Sequence, residues 1–225
     1  MGKKVVVFAP HPDDETLGCG GTIAKRISEG CEVVVAVITD GRHALSQFFG
    51  VNSAPSPEEL KDIRREEATR ALKILGVQSK NISFFGLEDT RLAQHEKEAK
   101  EKIVTLLKDL SPTEIYFPYR KDTNLDHQIT NKLVQDAVVG LNFLAFKYQY
   151  SIARRFSRLS PFVSMLLNPV RRNLVYVDVS QFLPQKQAAV NKFKSQITII
   201  SSRQQRPVMQ NVERFLKNKE AFYVR

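Results

Sequence analysis

The sequence predicts an α/β fold, a Rossmann-like, mostly parallel sheet with helices on both faces. Three observations carry that prediction. Two short runs, Lys4–Ala9 (KVVVFA) and Glu32–Thr39 (EVVVAVIT), are β-branched and almost wholly apolar, as strands buried on both faces must be. Segments with helical spacing and helix-type end signals separate these runs from later strand-like ones, an alternation that builds right-handed βαβ units. The polar clusters that could carry chemistry follow directly after the strand-like runs, where an open parallel sheet binds ligands.

Along the chain, Lys4–Ala9 reads as the first strand, and residues 17–29 read as a helix stopped by Gly30. Glu32–Thr39 is the second strand. After a Gly/Ser/Pro-rich loop, Ser56 is placed to cap a helix, with Pro57 at its first position and Glu58 and Glu59 complementing its dipole. That helix carries Leu60, Ile63, Glu67, Ala71, Ile74 and Leu75 to a stop at Gly76. Residues 81–85 form a third strand, Glu96–Leu110 a helix, and residues 113–117 a fourth strand before Pro118. Residues 127–146 read as another helix. The stretch 145–172 is a basic excursion interrupted by Pro161 and Pro169. Residues 173–179 return as a strand and 184–196 as a helix. The polar, basic tail ends in a short helical stretch at 212–222. With no internal repeat and no low-complexity linker, residues 1–225 read as one domain.

Composition narrows the function class. A 42% hydrophobic content with 14 Phe is enough for a sizeable core, and 26% charged residues with 10 Gly and 10 Pro exclude a disordered or fibrous chain. No apolar run approaches the ~20 residues of a membrane-spanning helix. The lysines and apolar run at the N-terminus lead into His11-Pro12-Asp13-Asp14-Glu15, which is no signal cleavage site. Two cysteines, Cys19 and Cys31, make no disulfide framework, so a cytoplasmic location is expected, with room for peripheral attachment to the inner face of the membrane. Charge is uneven: residues 137–225 hold 15 Lys+Arg against 3 Asp+Glu, and no acid stands between Asp136 and Asp178. Such a field attracts phosphate-bearing substrates, anionic membrane surfaces or nucleic acid. No nucleic-acid-binding motif is recognisable, so no specific nucleic-acid partner is expected. The aromatics among these bases, such as Phe143, Tyr148 and Phe156, read as core or as an interface between copies of a homo-oligomer.

The exit of the first strand holds one imidazole and two adjacent carboxylates, His11, Asp13 and Asp14. The carboxylates repel each other unless a cation sits among them. Imidazole nitrogen and carboxylate oxygen suit zinc, and a catalytic zinc takes three protein ligands and keeps one position open. Fe(II), Co(II) and Mn(II) also suit such donors. His11 and one of the two aspartates supply two ligands. His127 is the best third, because it follows Asp126 in a loop that lies beside the first strand if strands one and four are neighbours. The other aspartate is then free to take a proton from metal-bound water. A rival reading is a dinucleotide-binding fold using Gly18, Gly20 and Gly21 after the first strand, with Asp40 ending the second. Against it, residues 10–17 separate the strand from the glycines, and three of them are acids that would repel a pyrophosphate.

Pro10-His11-Pro12-Asp13-Asp14-Glu15, followed by Gly18-Cys19-Gly20-Gly21-Thr22, resembles the opening of the PIG-L/LmbE family of zinc-dependent N-deacetylases, which remove acetyl from N-acetylglucosamine units. Thr39-Asp40-Gly41, the Arg64/Glu67/Ala71/Leu75/Gly76 helix, Phe85-Gly86-Leu87-Glu88-Asp89 and Asp122-Thr123-Asn124-Leu125-Asp126-His127 continue the resemblance in order. Asp178-Val179-Ser180, Lys186, Ser195-Gln196 and Glu220-Ala221-Phe222 extend it toward the C-terminus, while residues 145–172 match nothing. The resemblance implies an N-acetylated amino-sugar substrate, lipid- or phosphate-linked in some members. It implies His11, Asp14 and His127 as zinc ligands and Asp13 as the general base acting on metal-bound water. It also implies that Asp126 holds a neighbouring polar group and that Arg64 and Asp89 bind sugar. Where well-studied members carry a histidine to stabilise the oxyanion, this chain has Asn124, an amide that can donate a hydrogen bond but brings no charge.

Overall fold

The computed structural model describes residues 2–142, 144–152 and 173–224. β1 (Lys4–Ala9) and β2 (Glu32–Thr39) form over the two apolar runs and pair in parallel from Lys4↔Glu32 to Ala9↔Val37. β3 (Ile82–Leu87) adds in parallel outside β2, and β4 (Glu114–Pro118) adds in parallel on the other side of β1. β5 (Phe146–Tyr150) continues parallel to β4, while β6 (Leu174–Asp178) and β7 (Lys219–Val224) extend that edge antiparallel. The order is β3-β2-β1-β4-β5-β7-β6. The winding therefore reverses between β1 and β4, and the loops leaving their carboxyl ends part there to form a crevice.

Alternation along the strands divides two cores. Val5, Val7 and Ala9 join Val33, Val35 and Val37 on one face, under α1 (Asp14–Ser28) and α3 (Pro57–Ile74). Val6 and Phe8 join Val34, Ala36 and Ile38 on the other, under α4 (Glu96–Leu110) and α5 (Leu125–Leu141). α2 (Ala44–Phe49) lies in the loop after β2, and α6 (Leu183–Val190) packs on the first face through Ala189. Ser56 caps α3, as the sequence predicts, and the Glu59 side chain accepts from the Ser56 N–H in return. Among the described residues no helix is long and apolar enough to cross a membrane.

The C-terminal half departs from the sequence reading in three places. Phe146–Tyr150 is a strand where the end of a helix and the start of the basic excursion were expected, since α5 stops at Leu141. Its Tyr148 stacks on Tyr116 at 4.8 Å, and its polar Gln149 is buried on the opposite side, accepting from Asn131 Nδ2 at 3.0 Å. The helix expected over 184–196 is divided into α6 and a single turn, α7 (Lys194–Ile197). The tail forms a 3₁₀ turn, Val212–Phe215, and β7 where a helix was expected. Residues 153–172 of the basic excursion, with Arg154, Arg155, Arg158, Arg171 and Arg172, lie outside the described residues.

α1 starts at Asp14, earlier than expected, and breaks at Cys19 (φ −146°, ψ 23°). A break strips backbone groups of their helical partners, and they must be satisfied otherwise. Glu220 of β7 accepts from the N–H groups of Gly21 and Thr22 at 2.9 and 2.8 Å, and Lys186 of α6 donates to the Leu17 carbonyl at 2.8 Å. Lys186 and Glu220 bond each other at 2.6 Å, fully buried. These positions of the C-terminal pattern thus splice the broken helix to the last strand.

The glycines of the rival dinucleotide reading are used for close packing. A Cβ on Gly18 would lie 2.5 Å from the Tyr150 ring, and one on Gly21 would lie 2.7 Å from Val179. Tyr150 cannot retreat, because its hydroxyl is anchored to the Phe8 carbonyl at 2.7 Å. Gly18→Ala is therefore expected to cost about 1–3 kcal/mol, the usual range for overpacking. Urea unfolding measures it, and an unchanged midpoint would show that the ring has room to move.

Candidate metal centre and its pocket

β1 ends at Ala9, and the turn that follows crosses the carboxyl end of the sheet. The Pro10 carbonyl accepts from both the N–H and the hydroxyl of Thr39 at 2.8 Å, pinning the turn to β2. The His11 N–H donates to Asp14 Oδ2 at 2.9 Å. Asp13 then takes φ 152°, ψ −27°, a conformation costing a non-glycine residue roughly 1–3 kcal/mol and characteristic of functional sites. Two braces hold it. Its N–H donates to the buried Glu15 carboxyl at 3.2 Å, and Arg64 from α3 donates to the Pro12 carbonyl, Asp13 Oδ2 and the Gly41 carbonyl at 2.9, 3.0 and 3.0 Å.

The opposite side of the crevice is built by α5. Asn124 is its N-cap: its Oδ1 accepts from the N–H groups of Asp126 and His127 at 2.8 and 3.4 Å, which sets His127 on the first turn. Because β1 and β4 are neighbours, that turn faces the β1 exit. His11 Nδ1, Asp14 Oδ2 and His127 Nε2 converge, with separations of 3.0 Å (His11–Asp14), 3.1 Å (His127–Asp14) and 3.2 Å (His127–His11). Adjacent ligands around a tetrahedral ion with ~2.0 Å bonds stand about 3.3 Å apart, so these atoms fit three corners of such a site.

The second nitrogen of each imidazole faces acid. His11 Nε2 lies 3.2 Å from Asp89 Oδ1 and 3.4 Å from Asp126 Oδ2. Asp126 is itself held by the Thr90 N–H at 2.9 Å, and Asp89 by the His43 N–H at 3.1 Å. His127 Nδ1 stands 3.3 Å from Asp122 Oδ2. Carboxylates in these positions fix which nitrogen is left bare for a metal and make it a better donor.

The field is strongly negative. Asp13, Asp14, Asp89, Asp122 and Asp126 are all buried, with Arg64 the buried cation beside them. Burial alone would lower the His127 imidazole, but Asp14 and Asp122 push it up to about 9. His11 likewise rises, against its burial, on Asp126, Asp14 and Asp89. Asp14 is driven well below the carboxylate range: the charge and hydrogen bonds of the two histidines overcome its burial. Asp13 goes the other way, since burial, opposed by Arg64 and aided by Asp14, pushes it up to about 7. So dense a set of acids around two bare imidazole nitrogens is the donor chemistry of a divalent cation.

A cavity of about 420 Å³ opens over this triangle. His11, Asp13, Asp14, Asn124 and His127 line its inner end. Its walls come from α2, through Gln47 and Phe48, and from the segment after α7, through Arg206, Met209 and Arg214. Arg64 and Asp89, expected to bind sugar, do line the cavity, yet the hydrogen bonds they make run inward, to the Asp13 turn and to His11. Asp40 is occupied by Arg42 at 2.6 Å. Ser195 is structural, donating its N–H and hydroxyl to Glu67 at 2.8 and 2.6 Å. The sequence reading left Asp122 without a role, although its position five residues before His127 was the available signal. It also missed Phe48 and the arginine-bearing wall, which lie in segments without periodicity.

A family model described as PIG-L, GlcNAc-PI de-N-acetylase, matches residues 6–138. Diacetylchitobiose deacetylase of Thermococcus kodakarensis is 36% identical over 116 residues, 52% of this chain and 40% of the relative. The chain thus spans about two fifths of that relative's length. A 1D-myo-inositol 2-acetamido-2-deoxy-alpha-D-glucopyranoside deacetylase of Mycobacterium sp. (strain KMS) is 26% identical over 90% of this chain and 77% of its own. Among solved structures, N,N'-diacetylchitobiose deacetylase from Pyrococcus horikoshii superposes with a TM-score of 0.72 at 22% identity, covering 99% of this chain and 84% of that one, a likeness of fold.

Proposed function

The chain belongs to the PIG-L family of GlcNAc-PI de-N-acetylases, and on that basis we propose that it is a zinc-dependent hydrolase removing the N-acetyl group from an N-acetylglucosamine-type substrate. The observation that carries the reading is the triangle of His11 Nδ1, Asp14 Oδ2 and His127 Nε2 with the Asp13 carboxyl beside it in one cavity. When bound, the ion acidifies water and polarises the acetamide carbonyl.

The residues divide the remaining work. Asp13, aimed by Arg64, takes the proton of the attacking water and returns it to the departing amine. Asn124 has its Oδ1 committed to the cap of α5, and no described residue accepts from its Nδ2, so the amide is oriented to donate toward the developing oxyanion. Asp126 and Asp89 hold His11, and Asp122 holds His127. Arg64 and Asp89 complete the sugar-facing wall. The enzyme works in the cytoplasm, where the net +12 of residues 137–225 draws it to the inner face of an anionic membrane.

The test is release of primary amine from N-acetylglucosamine, its 1-phosphate and diacetylchitobiose, before and after chelation. Amine should appear from at least one of them, vanish on chelation and return with added Zn²⁺. No release from any, or release indifferent to chelation, defeats the reading.

A further inference from the structure

The acidic end of the cavity faces a wall of the opposite sign. Arg206 and Arg214 both line it, both are exposed, and neither has an acidic partner among the described residues. Arg26, Arg42, Arg64, Arg70 and Arg91 sit in ion pairs, and the other described arginines without one inside the chain, Arg65, Arg120 and Arg203, do not line the cavity. Each guanidinium of the wall rests instead near an aromatic face. Arg206 Cζ is 5.6 Å from the Phe49 ring centre and Arg214 Cζ is 4.6 Å from that of Phe215. Stacking of this kind positions the planar group and leaves its N–H edges for an acceptor.

The wall is built rather than loose. Buried Gln204 donates to the Arg206 and Thr198 carbonyls at 2.8 and 3.3 Å and accepts from the Ile200 N–H at 3.0 Å. The Met209 N–H donates to the Gln196 carbonyl at 2.8 Å. Arg214 Nη2 reaches the Ile152 carbonyl at 3.4 Å.

We propose that Arg206 and Arg214 form an anion subsite that selects acetamido sugars bearing a phosphate ester next to the acetamide-carrying carbon. The inference rests on the hydrolase reading for the placement of the sugar. An acetamide held at the triangle puts the neighbouring sugar carbon, and whatever it bears, inside the same cavity. A phosphate cannot lie toward the inner end, where the carboxylates repel it, so it turns to the arginines. A guanidinium binds phosphate through parallel N–H bonds, and both wall arginines open on the same cavity.

The test compares N-acetylglucosamine 1-phosphate with methyl N-acetylglucosaminide, in calorimetric binding and in amine release. A third arm presents the same sugar on a lipid phosphodiester in phosphatidylcholine vesicles. Wild-type protein should bind the 1-phosphate roughly tenfold or more tightly than the methyl glycoside, as expected for hydrogen bonds to a charged group. That preference should collapse toward unity in Arg206→Ala/Arg214→Ala. It should persist in Arg203→Ala, an exposed arginine of the same segment that does not line the cavity. A faster rate on the vesicle arm than on the soluble ester assigns the phosphate to a lipid headgroup, and the reverse to a soluble ester. Equal binding of the two soluble sugars, or a preference untouched by the double variant, overturns the subsite and leaves the hydrolase standing. Anion-selective binding with no amine released from any substrate overturns the hydrolase and leaves the subsite.

Discussion

Asp13→Asn is expected to lower acetamide hydrolysis by about two to four orders of magnitude, the usual worth of a positioned general base, while bound metal stays at the wild-type level. The two readouts separate because Asp13 is not a corner of the ligand triangle. It sits next to Asp14 in sequence, but its Oδ2 accepts from Arg64 Nη2 at 3.0 Å where Asp14 Oδ2 meets the two histidines. Asparagine suits the position for two reasons. It tolerates positive φ better than most residues, and Asp13 sits at φ 152°. Its side-chain carbonyl can also still accept from Arg64, whereas alanine would leave a buried guanidinium short of a partner, a defect worth roughly 3–5 kcal/mol. What asparagine cannot do is hold a proton taken from water. Turnover measured beside elemental analysis and a thermal melt decides the matter: a folded, metal-loaded Asp13→Asn protein with wild-type turnover would remove Asp13 from the chemistry.

The parts of this site that were legible in the sequence share a cause. β1 and β2 are buried on both faces, so their residues are apolar without interruption, and the polar residues that follow stand out against them. The pairing of β1 with β4 stood in the sequence only as a condition, because βαβ winding fixes handedness and not strand order, and the meeting of His11 and His127 at 3.2 Å depends on it. The roles of the two aspartates were not legible from spacing. They depend on the positive-φ turn at Asp13, which gives the adjacent carboxylates different partners, Arg64 for Asp13 and the two histidines for Asp14, and only the family resemblance proposes which of them acts as base. β5 and β7 escaped because they lie where the sheet turns antiparallel. There, partial exposure and the buried, hydrogen-bonded Gln149 and Glu220 break the apolar run that marked β1. Arg64 illustrates a different limit. A residue on a helix three elements away from the turn can be recognised as functional, but that it braces Asp13 is visible only once α3 is laid across the β1 exit.

Loss of a ligand should be more damaging than loss of the group behind it, and that order tests the metal centre itself. His127→Ala removes one corner of the triangle, leaving His11 Nδ1 and Asp14 Oδ2 at 3.0 Å, too few protein donors for the three-ligand site expected of a catalytic zinc. The purified variant is expected to hold well under one equivalent of metal and to show no chelator-sensitive amine release. Asp122→Asn keeps all three corners and changes only the acceptor 3.3 Å from His127 Nδ1. Removal of such a supporting acid weakens metal binding by about 10–100-fold. Asp122→Asn should therefore load at high free Zn²⁺ and empty at low, with activity following occupancy. A purely structural Asp122 would instead lower the melting temperature without shifting the metal titration. The outcome most damaging to the scheme is a His127→Ala protein that keeps one tightly held equivalent. Among the described residues the other grouping able to bind an ion is His11 with Asp89 and Asp126, which shares His11 but uses its other nitrogen. Retained metal would move the ion to that side of the imidazole, off the triangle through which the proposed hydrolysis runs, and that scheme would fall.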